Sequence, residues 1–224
     1  MTDTGIWMSI LTKRLLDRFG ERVAFIGLQG SRSRGEARPD SDIDAVVLFD
    51  RLDRDTIDGY RTILDGMPYR ELACGFVSGY REIASWAPHD LFQFRRDTVA
   101  VFGDLDAVLP PEGPSDAAWA ANSGACSVYH ACAHNMVHER STDILAQLSK
   151  PCRFTLQAVI CARTGTYHRS SDALRAVAGP DGWVLDIRDL ADAGQVWSLD
   201  SDELSERVLS WASDVITEFD PRLN

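Results

Sequence analysis

The sequence predicts an α+β protein in which a small mixed sheet with flanking helices is followed by a C-terminal helical bundle. Apolar segments of strand length alternate with short helical patterns up to about residue 105. From Ser115 onward the pattern is helical. Residues 109–114 are rich in proline, which interrupts both helix and sheet. We therefore predict two domains, residues 1–110 and 111–224.

The elements of the first domain are predicted in chain order. A helix over residues 6–19 ends at Gly20, and a strand over 24–28 ends at the Gly30-Ser31 turn, where Ser31 is expected to cap a short helix. A second strand follows Asp42. The remaining elements are a helix over 53–64, a strand over 69–77, a helical segment over 80–86 and a strand over 98–102.

The second domain is predicted to contain helices over residues 117–140, 141–164, 171–177 and 200–219. Ser141 is a start signal, and Pro151 marks a break or restart. These lengths and short connections predict a bundle of four or five helices.

Composition narrows the class of protein. With 224 residues and 45% hydrophobic side chains, the chain can fill a sizeable core. No apolar run is long enough to span a bilayer, and the first residues lack the pattern of a secretory signal, so a cytoplasmic protein is expected. Five cysteines without paired C-x-x-C spacing indicate reduced, mostly buried thiols.

Residues 29–50, QGSRSRGEARPDSDIDAVVLFD, form the most informative segment. Alternate residues of a strand share a face, so Asp42 and Asp44 should point the same way while Ile43 enters the sheet. Two close carboxylates repel unless a cation lies between them, and hard oxygen ligands suit Mg²⁺. The Gly30-Ser31 turn offers backbone N–H groups to an anion. The segment therefore predicts nucleotide chemistry assisted by two magnesium ions.

This segment resembles the polymerase-β-like nucleotidyltransferase superfamily, in particular its minimal and aminoglycoside-type members. The matching residues are Gly30, Ser31, Arg34, Gly35, Ser41, Asp42, Ile43 and Asp44. The resemblance implies a nucleotidyltransferase fold. It also implies a metal-dependent enzyme that moves a nucleoside monophosphate, AMP from ATP, to a hydroxyl of a small acceptor and releases pyrophosphate.

The resemblance assigns roles to these residues. The phosphates would lie on Gly30 and Ser31, with Arg34 and Arg32 neutralising part of their charge. Asp42 and Asp44 would hold the two Mg²⁺ ions. Arg32 has an alternative role as an exposed ion-pair partner of Glu36 or Asp40.

The family uses a third carboxylate on a strand beside the two aspartates. Glu71 is the acidic residue within the strand predicted at 69–77. It would share a face with Ala73 and Gly75, whose small side chains would leave space for a ligand. Its alternative role is a surface partner of Arg70 or Arg81. Glu82 is the nearest rival for the third carboxylate, but it lies in the helical segment predicted over 80–86.

The second domain is expected to bind the acceptor and to close over the nucleotide. Lys150 would reach the triphosphate, as helical-domain basic residues do in aminoglycoside-type enzymes. His130, His134 and His138 recur every four residues and so lie near one helix face. His134 and Glu139 would contact the acceptor or accept its proton. A transition-metal site and bonds within the helix interface are the alternatives for the histidines.

The net charge of the protein and its distribution indicate which kinds of molecule it can bind. The net charge of −11 disfavours binding of long nucleic acid, which needs a basic surface. Residues 1–110 carry 18 acidic and 14 basic side chains, and residues 111–224 carry 16 and 9. The more acidic second half favours a cationic acceptor, unless it serves only solubility.

Two other functions fit the same motif. One is transfer of AMP to a protein, as in antitoxin-type minimal nucleotidyltransferases. The other is a non-catalytic module that binds nucleotide and a partner protein. The helical second half argues against the first, and the presence of both aspartates argues against the second.

Overall fold

The computed structural model describes residues 3–193 and 197–222. The chain forms two compact units, of which the first comprises Met1–Ala87 and Phe94–Glu112 and the second comprises Pro88–Gln93 and Gly113–Asn224. The sequence pattern does not indicate that residues 88–93 group with the second unit. The assignment of catalysis to 1–110 and of acceptor binding to 111–224 stays a prediction.

The first unit is built around a four-stranded sheet with the order β3-β2-β1-β4. The strands are β1 (Val23–Gln29), β2 (Ile43–Phe49), β3 (Ala73–Gly79) and β4 (Val99–Phe102). β1 pairs antiparallel with β2 and β4, and β2 pairs parallel with β3. The predicted class, a small mixed sheet with helices, is confirmed.

Helices flank and connect these strands. They are α1 (Thr4–Phe19), α2 (Gly30–Arg34), α3 (Arg54–Asp65), α4 (Tyr80–Ala84), α5 (Pro88–Asp97) and α6 (Leu105–Val108). Helix α5 is divided between the two units after Gln93.

Helix α1 covers one face of the sheet. Asp3 caps its start by accepting a hydrogen bond from the Ile6 amide, and Gly20 ends it with φ of 56°. Its apolar side chains share a core with alternate residues of β2. The core members from the two elements are Trp7, Met8, Leu11, Leu15, Phe19, Ile43, Ala45, Val47 and Phe49. Burying each large side chain contributes roughly 1.5–3 kcal/mol, so this face fixes β2 in the sheet.

Two local predictions in this unit were wrong. Ser31 does not cap α2, because the helix begins at Gly30 and its N-cap is Gln29, which makes no side-chain capping bond. The third strand begins at Ala73 rather than residue 69. Tyr69 adopts a left-handed conformation with φ of 55°, and Arg70–Leu72 form a 3₁₀ turn. Neither conformation is extended, so the strand cannot begin before Ala73.

The second unit is helical, as predicted. Its helices are α7 (Asp116–His134), α8 (Thr142–Gln147), α9 (Ser149–Thr164), α10 (Ser171–Val177), α11 (Ile187–Asp192) and α12 (Leu199–Glu218). A 3₁₀ segment, Gly179–Asp186, joins α10 to α11. Helix α7 packs against α9, where Gly124 lies close to Thr155.

The helix predicted over 117–140 is shorter than expected and ends in a π turn, Asn135–Glu139. The buried Asn135 side chain explains the end, because it donates to the Ser141 carbonyl and accepts from the Ser141 amide, each at 3.0 Å. Arg140 turns left-handed with φ of 47°. Ser141 then caps α8 as predicted, accepting from the Ile144 amide.

Pro151 marks the predicted restart. Helix α8 ends at Gln147, and Pro151 is the third residue of α9. The missing N–H of proline is tolerated in the first turn of a helix, because the amides there have no intrahelical partner.

The cysteines are mostly buried, as expected from composition. Cys132, Cys152 and Cys161 are buried, whereas Cys74 and Cys126 are exposed. Burial raises the pKa of the Cys132 thiol to about 11, and it raises the pKa of Cys152 further. None of the helices in residues 3–193 and 197–222 combines the length and apolar character needed to span a membrane.

Candidate active site

The end of β1 and the start of β2 lie side by side. Gln29 is the register partner of Asp44 in this antiparallel pair, so the Gly30-Ser31 turn follows directly beside Asp44. Gly30 has φ of 74°, and a Cβ atom built there would lie 1.9 Å from Asp44 Oδ2. Glycine is therefore required at position 30 for both backbone conformation and space.

The two aspartates of the motif are held by different parts of the structure. Ile43 is fully buried in the core with α1, whereas Asp44, its neighbour in β2, is half-buried and points to the other face. Asp42 directly precedes the strand and is exposed. The sheet fixes Asp44, but Asp42 lies outside the strand.

Arg32 makes its contacts within the protein. Its Nε donates to the carbonyl oxygens of Ser41 and Asp42 at 3.0 Å each, and its Nη2 donates to the Ser41 carbonyl at 2.6 Å. Its Nη1 donates to Thr4 Oγ1 at 3.2 Å. These contacts differ from the exposed ion pair with Glu36 or Asp40 that the sequence offered as an alternative.

Arg34 has carboxylate partners. Its Nη1 lies 3.1 Å from Asp97 Oδ2, and the two side chains are 9% and 8% exposed. Its Nε lies 2.9 Å from Glu36 Oε2. Such a pair anchors α2 to the end of α5, because leaving either charge buried without the other would be costly. Binding of phosphate by Arg34 stays a prediction, and it would compete with these carboxylates.

Glu71 does not lie on a strand, which corrects the sequence-based placement. It belongs to the 3₁₀ turn before β3 and is exposed. The small residues Ala73 and Gly75 pair with Ile43 and Ala45, on the face that packs against α1. They therefore do not open space on the face of Asp44.

The residue beside Asp44 on β3 is Cys74. Paired residues in a parallel sheet share a face, so an exposed thiol lies next to the aspartate. Within the described ranges, no three His, Cys, Asp or Glu side chains are grouped closely enough to hold a metal ion. The structure thus brings Asp42, Asp44 and the Gly30-Ser31 turn together at one sheet end, and it does not gather Glu71 with them.

The remaining candidates belong to the second unit. Lys150 is the second residue of α9, is exposed, and has its Nζ 5.9 Å from the centre of the Phe154 ring. His134 ends α7, and Glu139 ends the π turn; both are exposed. The assignments of Lys150 to phosphate and of His134 and Glu139 to the acceptor stay predictions.

The predicted histidine face is present and continues from the end of α7 into the π turn. The ring centres of His134 and His138 are 4.7 Å apart, and those of His130 and His134 are 6.3 Å apart. All three side chains are exposed, so they are not buried in an interface between packed helices.

Sequence analysis missed three residues that shape the site. Asp97 is buried beside Arg34, and Thr98 donates to the Phe94 carbonyl and accepts at 2.7 Å from Gln29, the last residue of β1. Cys74 was counted only as one of the five cysteines. An acidic residue at the end of an amphipathic helix and a cysteine in a strand carry no local signal, because their roles depend on strand register.

Comparison with known proteins supports the fold. Residues 8–76 match a family model described as a nucleotidyltransferase domain. No curated protein sequence matches the chain significantly. Among solved structures, the chain resembles the crystal structure of spectinomycin adenyltransferase AAD(9) from Enterococcus faecialis with ATP and spectinomycin. The TM-score is 0.53 at 17% identity, and the match covers 93% of this chain and 99% of that chain. At this identity the likeness shows a shared fold.

Proposed function

We propose that this protein is an enzyme that transfers AMP from ATP to a hydroxyl of a small acceptor; the match of residues 8–76 to a nucleotidyltransferase domain model supports this function. The observation that supports the proposal is the close approach of Gly30 to Asp44, because the turn proposed to bind phosphate then lies beside a motif carboxylate. In the reaction the acceptor oxygen bonds to the α-phosphorus, the bond from that phosphorus to the bridging oxygen breaks, and pyrophosphate leaves.

The Gly30-Ser31 turn is the proposed phosphate site. Without a side chain at position 30, the backbone can approach the phosphates closely. Gln29, the residue before the turn, is fixed by Thr98, so the turn is held from the sheet side. Positioning of this kind supplies much of the acceleration in phosphoryl-type transfer, where the protein forms no covalent bond.

Asp42 and Asp44 are suited to hold Mg²⁺ together with the phosphate oxygens. Magnesium is usually bound by one or two carboxylates plus substrate phosphates rather than by a complete protein cage. Two carboxylates at one strand entry, with Asp44 in close approach to Gly30, fit that donor set. When bound, the metal would neutralise charge that develops on the phosphate oxygens.

Glu71 is the proposed third carboxylate, which would help to lower the pKa of the acceptor hydroxyl. Two features of the structure bear on this role. Its turn leads directly into β3, the strand that pairs with β2, and its side chain is exposed to solvent. An exposed carboxylate remains free to orient toward a bound substrate.

The acceptor is proposed to be a small hydroxylated cation of aminoglycoside type. The solved relative binds ATP and spectinomycin. Residues 111–224 carry 16 acidic and 9 basic side chains, a balance that favours a cation. His134 and Glu139 are the proposed contacts, and Lys150 is the proposed additional phosphate ligand.

A transfer assay tests the function. The protein is incubated with α-labelled ATP, Mg²⁺ and a panel of aminoglycosides including spectinomycin, and in parallel with cell lysate. We expect the label to move to a small molecule, with release of pyrophosphate in equal amount. Label on a protein band would instead support protein AMPylation. No transfer together with tight ATP binding would support a non-catalytic nucleotide-binding module.

Replacement of Glu71 by glutamine tests the third carboxylate. We expect kcat to fall on the order of 10²-fold or more with little change in the KM for ATP, since activation of the acceptor is lost while the phosphate site remains. Glu82→Gln is the matched control, because Glu82 is an exposed acidic residue beyond the same strand. Wild-type activity in Glu71→Gln would exclude Glu71 from the reaction, and a loss in Glu82→Gln alone would assign the role to Glu82.

A further inference from the structure

The segment that enters β2 contains a turn, in which the Ser41 amide donates to the Arg38 carbonyl and Ser41 Oγ accepts from the Arg38 amide, and the Arg32 side chain contacts its end. Residues 35–40 are exposed, and the hydrogen-bonded ladder of β2 starts only at Ile43. Asp42 therefore lies at the end of a surface loop, without sheet partners of its own. The three contacts of Arg32 with the carbonyls of Ser41 and Asp42 are what ties this loop end to α2.

We propose that Arg32 is a positioning residue: it fixes the backbone that carries Asp42 rather than binding the triphosphate. This inference rests on the proposed nucleotidyl transfer. A guanidinium has five N–H donors in a planar fork, and here Nε and Nη2 are directed at two consecutive carbonyls while Nη1 contacts Thr4. The fork thus joins α2, the start of α1 and the entry to β2.

The two motif aspartates therefore have separate supports. Asp44 is fixed by strand pairing with Gln29 and Cys74 on either side. Asp42 is fixed through Arg32. Because catalytic carboxylates must be held within a fraction of an ångström of their working positions, loss of the Arg32 contacts should impair the reaction while ATP still binds.

The two possible roles of Arg32, positioning Asp42 through several hydrogen bonds and neutralising phosphate charge, predict different activities for Arg32→Lys. Lysine keeps the charge but has a single ammonium group, which cannot span the two carbonyls and Thr4 at once. If Arg32 positions Asp42, Arg32→Lys should lose nearly as much activity as Arg32→Ala. If Arg32 neutralises phosphate charge, lysine should restore most of the activity.

The kinetic test measures kcat and the KM for ATP with the acceptor found in the transfer assay. We expect Arg32→Ala to lower kcat about 10- to 100-fold and to change the KM for ATP by less than about threefold. Arg38→Ala is the matched control, because it removes the same charge from the exposed part of the loop. A rise of tenfold or more in the KM for ATP at unchanged kcat would overturn the proposal.

A second measurement is independent of activity. Amide hydrogen exchange in the nucleotide-free protein should accelerate at least about tenfold over residues 38–42 in Arg32→Ala and not in Arg38→Ala. Unchanged exchange would overturn the positioning role even if activity fell. If the wild-type protein transferred no label, the exchange result would still decide whether Arg32 fixes this segment. Thr4→Val, which removes one contact of the fork, gives a milder variant should Arg32→Ala not fold.

Discussion

Replacing Asp42 with asparagine is expected to lower nucleotidyl transfer on the order of 10³-fold. The substitution removes one of the two carboxylates proposed to hold Mg²⁺, and a divalent ion at a phosphoryl centre contributes several kcal/mol of charge stabilisation. Because Asp42 is exposed and precedes the strand, the fold should be retained. The measurement is label transfer from ATP, with thermal unfolding to confirm the fold.

Asp40→Asn is the control for that experiment. Asp40 is an exposed aspartate two residues upstream in the same loop, so it tests the effect of removing a negative charge without changing the proposed ligand. We expect its activity to stay within about twofold of the wild type, since isolated surface charges contribute little. Full activity in Asp42→Asn would show that the metal assignment is wrong.

Replacing Gly30 with alanine is expected to lower activity on the order of 10²-fold and to destabilise the protein. The new Cβ atom would lie 1.9 Å from Asp44 Oδ2 and 2.9 Å from its Cγ, so the carboxylate must rotate away. The left-handed backbone at φ of 74° adds about 1–2 kcal/mol of strain. Displacing a carboxylate by an ångström is enough to account for the lost activity.

Gly35→Ala separates the effect of backbone strain from the effect of displacing the Asp44 carboxylate. Gly35 has φ of 75°, yet a Cβ atom there meets nothing within 4 Å. It should therefore show the backbone strain alone, with a similar loss of about 1–2 kcal/mol in the free energy of unfolding and with activity within a few fold of the wild type. Chemical denaturation and the transfer assay measure both quantities. Equal activity in the two variants would mean that Asp44 does not act at the position seen here.

The predictions that held depended on local patterns. The helical stripe of α1, its termination at Gly20, the capping by Ser141 and the restart around Pro151 all follow from spacing and from single-residue preferences. The Gly-Ser turn and the Asp-x-Asp strand were visible together because both lie within residues 29–50. The antiparallel pairing of their two strands is a finding of the structure.

The predictions that failed depended on where the chain enters the sheet. A strand starting at residue 69 would have placed Glu71 in the sheet, but the left-handed Tyr69 and the 3₁₀ turn delay the start to Ala73. The delay leaves Glu71 outside the strand, so strand alternation does not determine the direction of its side chain. The register places Cys74 beside Asp44, which periodicity alone does not predict.

The two arginines of the motif, Arg32 and Arg34, also show which features the sequence predicts and which depend on the tertiary structure. Their number and position in the motif were evident, but a guanidinium binds carboxylate, phosphate or carbonyl oxygen with similar geometry, so its partner depends on what the fold brings near. Tertiary structure placed Asp97, 63 residues away in sequence, against Arg34, and directed Arg32 to the carbonyls before β2.

The amino-acid sequence by itself determined the class of fold, the position of the Gly-Ser turn and the identity of the two aspartates, because these are properties of short segments. The tertiary structure decided the partner of each arginine, the neighbour of Asp44 and the setting of Glu71. Those depend on strand register and on contacts between distant residues, which are selected by the packing of the whole unit.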